Sequence, residues 1–357
     1  MGHRPEVEQS DEQHMRTAIA AAWGARRSVT PRPWVGAVLV PADGTTPVVS
    51  ATEGRTGPHA EAGALLAAGG RAQGATVYST LEPCSHHGVS PPCADALVAA
   101  GVARVVVGIT DPDPRVAGEG VERLRAAGID VGVGVCAAEV EAQLAPYLTH
   151  RRTGRPFVVL KLAATLDGRT AAPDATSRWI TGAEARLDAH RLRADSDAVL
   201  VGAGTVRADD PALTVRLPAA EQPPVEPRRV VLGRAPAGAR VHPAIEVEGE
   251  LGPVLDGLGA DGVVQLMVEG GAGVAAAFHR EGLVDRYVVY LAPALFGGDD
   301  ARGMFAGPGA ATIGDLWRGR ISAVTRLGDD VRIDLEPAAP SPPAPSPPAG
   351  PGRERAA

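Results

Sequence analysis

The sequence predicts two α/β domains in one chain, and three observations support this prediction. Its 357 residues match about two domains of roughly 150 residues each. In both halves, short apolar runs alternate with helical segments, which is typical of a largely buried sheet covered by helices. A polar, basic stretch at residues 149–155 interrupts this alternation and is typical of a linker.

The elements of the first half follow from hydrophobic patterning and turn signals. We expect residues 1–11 to be disordered and residues 12–148 to form the first domain. Helices are predicted at residues 12–26, 61–68, 92–100 and 118–127, and strands at 34–40, 75–80, 103–108 and 130–135.

The second domain is expected at residues 156–336, followed by a disordered Pro/Ala-rich tail at 337–357. The Gly/Pro-rich stretch 234–262 has no clear strand pattern, so we expect a cofactor-binding edge element to be reduced there. Strands are predicted at residues 157–162, 198–202, 229–232, 265–269 and 286–291, and helices at 184–194 and 274–281.

The composition narrows the classes of function. A net charge of −7 and an aromatic content of 3% disfavour nucleic-acid binding, which uses basic surfaces and stacking rings. No run of about 18 apolar residues predicts a transmembrane helix, and the polar N-terminal segment has no apolar signal core. We therefore expect a cytoplasmic protein without a nucleic-acid or membrane partner, and a small phosphorylated substrate remains compatible with this charge.

Three residues of the first half form a pattern suited to zinc. His59, Cys84 and Cys93 offer the nitrogen and thiolate ligands that zinc prefers and leave a fourth position for water. Glu61 lies two residues after His59, where it can transfer the protons of that water. This H-x-E…P-C arrangement is that of zinc nucleobase deaminases, with both cysteines expected at the start of a helix that favours thiolate.

A closed structural zinc site and unrelated buried cysteines are the alternatives. A closed site needs a fourth ligand, and the sequence offers Cys136 as a spare thiol and His86 and His87 as competing ligands. A structural zinc in a nucleotide-binding module would bind metal without releasing ammonia.

The chain contains a single lysine, Lys161, among 35 lysines and arginines. It interrupts an apolar strand, where an unpaired charge costs free energy. An ammonium is a compact donor that a guanidinium cannot replace, so Lys161 is a candidate functional residue. Chance survival in a lysine-poor composition is the alternative.

Several strings resemble one known family. Residues 80–88 read TLEPCSHHG and are followed by PPC, with eight residues between Cys84 and Cys93. Matching strings in the second half occupy residues 161–170, 177–181, 202–216 and 268–273. Over residues 12–336 the chain resembles the bifunctional deaminase–reductases of riboflavin biosynthesis.

This resemblance implies a fold and an activity. The first domain would be a cytidine-deaminase-like three-layer α/β/α domain, and the second a dihydrofolate-reductase-like α/β domain. The first would hydrolytically deaminate 2,5-diamino-6-ribosylamino-4(3H)-pyrimidinone 5′-phosphate with Zn²⁺. The second would reduce the ribosyl group to ribityl with NADPH, and the family implies a homo-oligomer.

The resemblance also implies roles for individual residues. Catalytic roles fall to Glu61, Lys161 and Asp209. The glycines after the strand at 265–269 would let backbone amides approach a cofactor phosphate, although an ordinary tight turn is the alternative. The cofactor site would comprise Ala163, Trp179, Thr205, Asp209, Gly270, Gly271 and Gly273. The substrate would contact Ser177, Arg193, Leu213, Arg216, Glu269, His86 and His87. The two arginines are suited to phosphate. For the two histidines, the alternative is that they lie in a solvated loop.

One position departs from the family pattern. Arg32 replaces the asparagine that contacts the pyrimidine, and arginine donates hydrogen bonds but cannot accept them. A shifted specificity, a weakened deaminase and a compensated pocket are all compatible with this change. A related enzyme of specialised metabolism, acting on another pyrimidine or a purine-derived substrate, is therefore the alternative function. The acidic charge, the long cysteine spacing and the attached reductase disfavour a nucleic-acid-editing deaminase.

Overall fold

The computed structural model describes residues 4–86, 91–113, 116–174, 176–223 and 225–338. They form two α/β domains, as the sequence predicts, each built on its own main sheet. No helix within these ranges is long and apolar enough to cross a membrane. His87, an expected substrate contact, lies outside the described residues.

The first domain is a five-stranded sheet in the order β2-β1-β3-β4-β5. Strand β1 runs antiparallel to β2 and β3, whereas β3, β4 and β5 are parallel. Helices α1 and α5 contact each other, and α2, α3 and α4 form a separate contacting series, so the sheet lies between two helical layers. The elements are α1 (Arg4–Val29), β1 (Gly36–Val40), β2 (Val48–Ala51), α2 (Ala60–Ala68), β3 (Thr76–Leu81), α3 (Cys93–Ala99), β4 (Arg104–Ile109), α4 (Glu119–Ala126), β5 (Asp130–Val133) and α5 (Ala137–Thr153).

The second domain is an eight-stranded sheet in the order β10-β9-β8-β11-β6-β12-β15-β14. The strands from β10 to β12 are parallel, and β15 and β14 extend the sheet antiparallel. Strands β7 and β13 form a separate small sheet. The elements are β6 (Phe157–Thr165), β7 (Arg169–Ala171), α6 (Ala183–Ala194), β8 (Ala198–Gly202), α7 (Ala203–Asp209), β9 (Arg228–Leu232), β10 (Ile245–Val247), α8 (Leu251–Ala260), β11 (Gln265–Val268), α9 (Ala272–Arg280), β12 (Arg286–Ala292), β13 (Arg302–Gly303), β14 (Gly319–Leu327) and β15 (Asp330–Pro337).

The N-terminal helix begins earlier than the sequence predicts. Helix α1 starts at Arg4, so the disorder expected for residues 4–11 is wrong. Asp11 is only 6% exposed and accepts hydrogen bonds from Tyr78 on β3 and from Arg104 on β4. The polar composition of residues 4–11 concealed this first part of the helix, in which Asp11 is the residue that contacts the sheet through hydrogen bonds.

The expected linker at residues 149–155 is also largely helical. Helix α5 continues to Thr153 and ends at Gly154, which has a φ of 74° that favours glycine. The basic residues of this stretch form the last turn of the helix, where positive charge is stabilised by the helix dipole. The sequence analysis predicted a linker here because the last turn of such a helix is polar and basic, as linkers often are.

The weakly patterned stretch 234–262 contains both a strand and a helix. Strand β10 pairs parallel with β9, so the edge element expected to be reduced is present, although it is only three residues long. Helix α8 buries Leu251, Leu255 and Leu258. Its glycines obscured the helical pattern, and Gly259 is required because a Cβ there would collide with the carbonyl group of Gly154.

Candidate active sites

The three predicted zinc ligands converge at one point of the first domain. The Nδ1 atom of His59 lies 3.6 Å from Sγ of Cys84 and 3.4 Å from Sγ of Cys93. Nitrogen and sulfur ligands of a tetrahedral zinc, at about 2.1 and 2.3 Å from the metal, lie roughly 3.6 Å apart. The donor set and its spacing therefore fit a zinc ion.

Local structure positions each of the three side chains. His59 is the N-cap residue of α2, and Cys93 is the first residue of α3. Cys84 follows β3 in an irregular segment, so the expectation that both cysteines begin a helix is wrong for Cys84. The hydrogen bond with the Cys93 thiol lowers the pKa of Cys84, and the neighbouring His59 acts in the same direction.

No closed four-ligand site forms within the described part of the chain. The metal-binding group there consists of His59, Cys84 and Cys93 alone. Cys136 caps α5, and its Sγ lies 3.8 Å from the carbonyl oxygen of Glu12. The arrangement leaves a coordination position available to water, which is typical of catalytic zinc.

Glu61 lies in the first turn of α2 and is only 3% exposed. Burial raises its pKa. Its Oε1 atom is 2.8 Å from the hydroxyl oxygen of Ser79, which is also 2.7 Å from the carbonyl oxygen of Leu81. A hydroxyl group donates one hydrogen bond and can accept others. Ser79, which sequence reasoning missed, can therefore donate to the Glu61 carboxylate or accept from its protonated form.

A cavity of about 250 Å³ opens onto the metal ligands and Glu61. Residues from both ends of the domain meet there, including the last turn of α5, which sequence analysis had assigned to a linker. The polar lining comprises Arg32, Thr52, Arg55, Thr56, His59, Glu61, Glu82, Cys84, His86, Asp111, Asp113, Tyr147 and Arg151.

Arg32 is tied to the loop that precedes His59. Its Nη1 atom donates to the carbonyl oxygens of Gly54 and Gly57, at 3.2 and 3.0 Å. These carbonyl groups belong to the segment between β2 and α2. Arg32 thus stabilises one wall of the cavity by its donors alone, a role that needs no acceptor.

Glu82 also lines the cavity and was missed in the sequence analysis. Its buried carboxylate accepts four backbone N–H groups, those of Asp111, Gly118, Gly120 and Val121, at 2.9 to 3.1 Å. Such a fully hydrogen-bonded carboxylate is stable when buried. Its role is to shape the loop between β4 and α4.

The second domain brings Lys161 and Glu269 together through strand register. Strand β6 pairs with β11 so that Leu160 faces Val268, which makes Lys161 and Glu269 neighbours at the next position. Burial lowers the pKa of Lys161, while the charge of Glu269 opposes this shift. The ammonium group forms no hydrogen bond or ion pair with any described residue, so its donors are available to a ligand.

Arg193 is paired with Glu269 rather than free for phosphate. Its Nη2 atom lies 2.7 Å from Oε2 of Glu269, and both side chains are largely buried. Its Nη1 atom donates to the carbonyl oxygen of Thr214 at 2.6 Å. Burial raises the pKa of Glu269, but the charges of Arg193 and Lys161 outweigh burial and lower the pKa overall. Arg193 therefore orients Glu269, whereas Arg216 is exposed and remains open to a phosphate.

His190 joins this group, although sequence reasoning missed it. Its Nδ1 atom accepts the backbone N–H of Arg216 at 3.3 Å and lies 3.5 Å from Nη1 of Arg193. Burial and the two positive charges lower the pKa of His190 to about 4. A neutral imidazole with Nδ1 as the acceptor therefore supports the loop that presents Arg216.

Two adjacent parallel strands end in glycines that open helices. Strand β8 leads through Gly202 into α7, and β11 leads through Gly270 and Gly271 into α9. A Cβ at Gly270 would collide with the side chain of Val274. The amide of Gly271 donates to the hydroxyl of Thr205 at 3.2 Å, which links the two turns. Helix N-termini of this kind are suited to phosphate groups.

The other expected cofactor and substrate residues lie on several elements of the second domain. Trp179 is 67% exposed, and Arg186 lies over its ring at 4.7 Å. Arg178 donates to the carbonyl oxygen of Asp209 at 2.8 Å, so the segment with Ser177 and Trp179 contacts the end of α7. Leu213 is buried with a φ of 53°, and Ala163 pairs with Tyr290 in the sheet.

Comparison with known proteins gives matches over both domains. Residues 8–109 match the cytidine and deoxycytidylate deaminase zinc-binding region, and residues 156–333 match the RibD C-terminal domain. The riboflavin biosynthesis protein RibD of Escherichia coli K12 is 40% identical, covering 91% of this chain and 99% of its own. RibD of Mycobacterium tuberculosis H37Rv is also 40% identical, covering 91% and 97%.

Solved structures agree with these matches. The structure of Acinetobacter baumannii RibD superposes with a TM-score of 0.86 at 38% identity, covering 93% of this chain and all of that one. A Thermotoga maritima protein described as a diaminohydroxyphosphoribosylaminopyrimidine deaminase/5-amino-6-(5-phosphoribosylamino)uracil reductase gives a TM-score of 0.84 at 31% identity, covering 93% of this chain and all of its own.

Proposed function

The chain belongs to the RibD family of bifunctional deaminase–reductases in riboflavin biosynthesis, and we propose that Glu61 carries out the proton transfers of deamination while Lys161 and Glu269 organise the reduction. The observation that carries this assignment is the His59, Cys84 and Cys93 cluster beside a buried carboxylate. The same chain also contains a second site, in which Lys161 lies next to the Arg193–Glu269 pair.

In the first site, the substrate is a phosphorylated pyrimidine. We propose that it is 2,5-diamino-6-ribosylamino-4(3H)-pyrimidinone 5′-phosphate, which loses its 2-amino group as ammonia. Zn²⁺, when held by His59, Cys84 and Cys93, supplies the Lewis acidity that makes water nucleophilic near neutral pH.

Glu61 moves the protons of this hydrolysis. The carboxylate accepts a proton from the attacking water and delivers it to the ring nitrogen beside the reacting carbon. A second transfer through Glu61 protonates the departing amino group, so one water enters and one ammonia leaves. Ser79 supports both protonation states of Glu61, because its hydroxyl can donate to the carboxylate or accept from the acid.

In the second site, the deaminated product is reduced at C1 of its ribosyl chain. The protein groups bind and orient, whereas NADPH, when bound, supplies the hydride. We propose that Lys161 donates a hydrogen bond to the oxygen of the opening ribose, since its ammonium group forms no hydrogen bond or ion pair with a described residue and lies 5.9 Å from the centre of the Tyr290 ring. Glu269, held in place by Arg193, accepts hydrogen bonds from sugar hydroxyls. Asp209 provides a second carboxylate for the hydroxyls of the ribosyl group.

The cofactor is proposed to lie over the glycine turns that begin α7 and α9. The amides at Gly270, Gly271 and Gly273 suit its phosphates. The exposed ring of Trp179, already next to a guanidinium, offers a stacking face. Ala163, Thr205 and Asp209 would complete this cofactor site.

On the substrate side, Arg216 is proposed to bind the phosphate of the reductase substrate, next to Ser177 and Leu213. In the deaminase cavity, His86 is proposed to contact the substrate. The Nδ1 atom of His86 is buried without a hydrogen-bond partner, and the side chain lines the cavity.

A homo-oligomer is proposed from the free edge of the second sheet. Every residue of β14 from Gly319 to Arg326 is exposed, and the strand carries Ile321 and Val324, at 56% and 62% exposure. An uncovered edge strand with apolar side chains is suited to pairing with another chain.

The test is product identification by mass spectrometry with the zinc-loaded protein and the diaminopyrimidine ribotide. Without NADPH, the product should have exchanged an NH for an oxygen; with NADPH, it should carry two additional hydrogens. A product that gains hydrogens before losing nitrogen, or no turnover of the ribotide, would refute the assignment.

A further inference from the structure

Arg151 lies in the last turn of α5 and lines the cavity of the zinc site. Its Nε atom is buried and has no hydrogen-bond partner. The guanidinium group lies over the ring of Tyr147 at 5.1 Å, but it forms no ion pair with any residue in the described ranges. A buried donor without a partner costs free energy, which a ligand with acceptor oxygens would recover.

Two further arginines line the same cavity, and they differ in their hydrogen-bond partners. Arg32 is engaged with the carbonyl groups of Gly54 and Gly57. Arg55 lies on the exposed loop between β2 and α2, and no described residue pairs with its side chain. The cavity therefore has two available guanidinium groups, those of Arg55 and Arg151.

The carboxylates of the cavity have other partners. The two carboxylate oxygens of Asp111 lie 3.2 and 3.0 Å from the hydroxyl oxygen of Tyr147. Burial raises the pKa of Asp111. Glu82 is saturated by backbone N–H groups. Asp113 also lines the cavity and is engaged within the protein. Arg55 and Arg151 are therefore the arginines of the cavity without a hydrogen bond or ion pair to a described residue, although the charge of Arg151 also acts on Asp111.

We propose that Arg151, assisted by Arg55, binds the 5′-phosphate of the pyrimidine ribotide during deamination. A phosphomonoester carries nearly two negative charges at neutral pH, and guanidinium groups match its geometry through paired N–H donors. This inference rests on the proposed deaminase activity. It gives the chain two phosphate subsites, one in each domain, and makes Arg151 a determinant of the preference for a phosphorylated substrate.

The test compares ammonia release from the ribotide and from the corresponding riboside, without NADPH, so that the reductase is silent. Arg151→Met should raise the KM for the ribotide by roughly 10- to 100-fold, the loss of one charge-assisted contact, and leave the riboside unaffected. Arg152→Met is the matched control, because Arg152 is the exposed neighbour on the same helical turn and does not line the cavity. Arg55→Ala should give a smaller loss, also confined to the ribotide.

Inorganic phosphate gives a second readout. It should inhibit ammonia release competitively with the ribotide in the wild type and in Arg152→Met, and much more weakly in Arg151→Met. Equal losses on ribotide and riboside would overturn the proposal and assign Arg151 to the support of Tyr147 and Asp111. An unchanged ribotide KM in Arg151→Met would overturn it as well.

Failure of the proposed deaminase would be distinguishable. If the wild type released no ammonia from either compound, calorimetric titration with inorganic phosphate would still decide the inference. Loss of one binding site in Arg151→Met relative to Arg152→Met would support it, and equal binding by the two variants would contradict it.

Discussion

The guanidinium of Arg193 donates hydrogen bonds to both oxygens of the Glu269 carboxylate, with its Nη2 atom at 3.0 Å from one oxygen and 2.7 Å from the other. The pair connects α6 to the end of β11 and lies beside Lys161. Because both side chains are about nine-tenths buried, the pair should contribute to the stability of the second domain as well as to the proposed reductase site.

Removing one partner of this pair should destabilise the second domain more than removing both. Arg193→Met leaves a buried carboxylate unpaired and should cost about 3–5 kcal/mol. The double variant Arg193→Met/Glu269→Leu should be less destabilised, because no uncompensated charge remains. Urea unfolding of the two variants and the wild type checks this order, and equal destabilisation by the two variants would contradict the extra cost assigned to an unpaired Glu269 carboxylate.

Lys161→Met should abolish reduction without impairing the fold. Burial already disfavours the charged amine, so an apolar side chain of similar length should leave the thermal midpoint unchanged or higher. NADPH oxidation on the deaminated substrate should fall by about 100-fold or more, while ammonia release stays at the wild-type rate. If the variant still reduced its substrate at the wild-type rate, the proposed role of Lys161 in reduction would be contradicted.

His190 should make the second domain less stable in acid. Its folded-state pKa of about 4 is below the ordinary value of about 6.5, so protonation favours the unfolded chain. The associated stability is fully present above about pH 6.5 and is lost as the pH falls towards about 4. The charged groups around it are Arg193, Arg216, Glu269 and Lys161.

His190→Asn removes this titration, because an amide oxygen can accept the Arg216 N–H without becoming charged. The stability difference between wild type and variant should therefore shift in favour of the variant between about pH 6.5 and 4. Thermal midpoints measured across this range check the sign. A constant difference over the range would mean that His190 does not titrate as inferred.

Glu61→Gln should stop deamination and spare reduction. An amide cannot shuttle protons, so ammonia release should fall by about 100- to 10,000-fold. Ser79→Ala should give a smaller decrease, since Glu61 remains but loses its hydroxyl partner. NADPH oxidation on the deaminated substrate is the internal control, and its loss in Glu61→Gln would indicate a folding defect instead.

Arg32→Ala should weaken ribotide binding through the loop that precedes His59. Two hydrogen bonds to the Gly54 and Gly57 carbonyl groups would be lost, each worth about 1 kcal/mol, so we expect the KM to rise by roughly 5- to 30-fold. The zinc content should stay unchanged, because α2 positions His59 independently. An improved turnover in Arg32→Ala would instead indicate that this arginine redirects the substrate preference.

The sequence predicted the zinc cluster, Glu61 and most of the strands because these depend on local signals. His59 and Glu61 are adjacent in one helical turn, and the buried strands of both sheets are continuous apolar runs. The single lysine in an apolar strand pointed to Lys161, and the family resemblance pointed to Glu269. The register of β6 and β11 explains their proximity.

Other features depend on contacts between distant segments and left no local signal. The last turn of helix α5 was predicted to be a linker because it is basic, and Arg151 was consequently not considered as a cavity residue. Arg193 was expected to bind phosphate because guanidinium suits phosphate geometry, and its ion pair with Glu269 left no local signal because the two residues are 76 positions apart. His190, Ser79 and Glu82 act through backbone or hydroxyl contacts, which residue patterns do not reveal.

The measurement that tests the central claim most directly is complementation between two variants. Glu61→Gln and Lys161→Met are each incubated with the ribotide and NADPH, alone and mixed, and ammonia and reduced product are quantified. The account predicts ammonia without reduced product for Lys161→Met, neither for Glu61→Gln, and both when the two proteins are mixed. If Lys161→Met released no ammonia, or if the mixture made no reduced product, the division of the two reactions between these two sites would be contradicted.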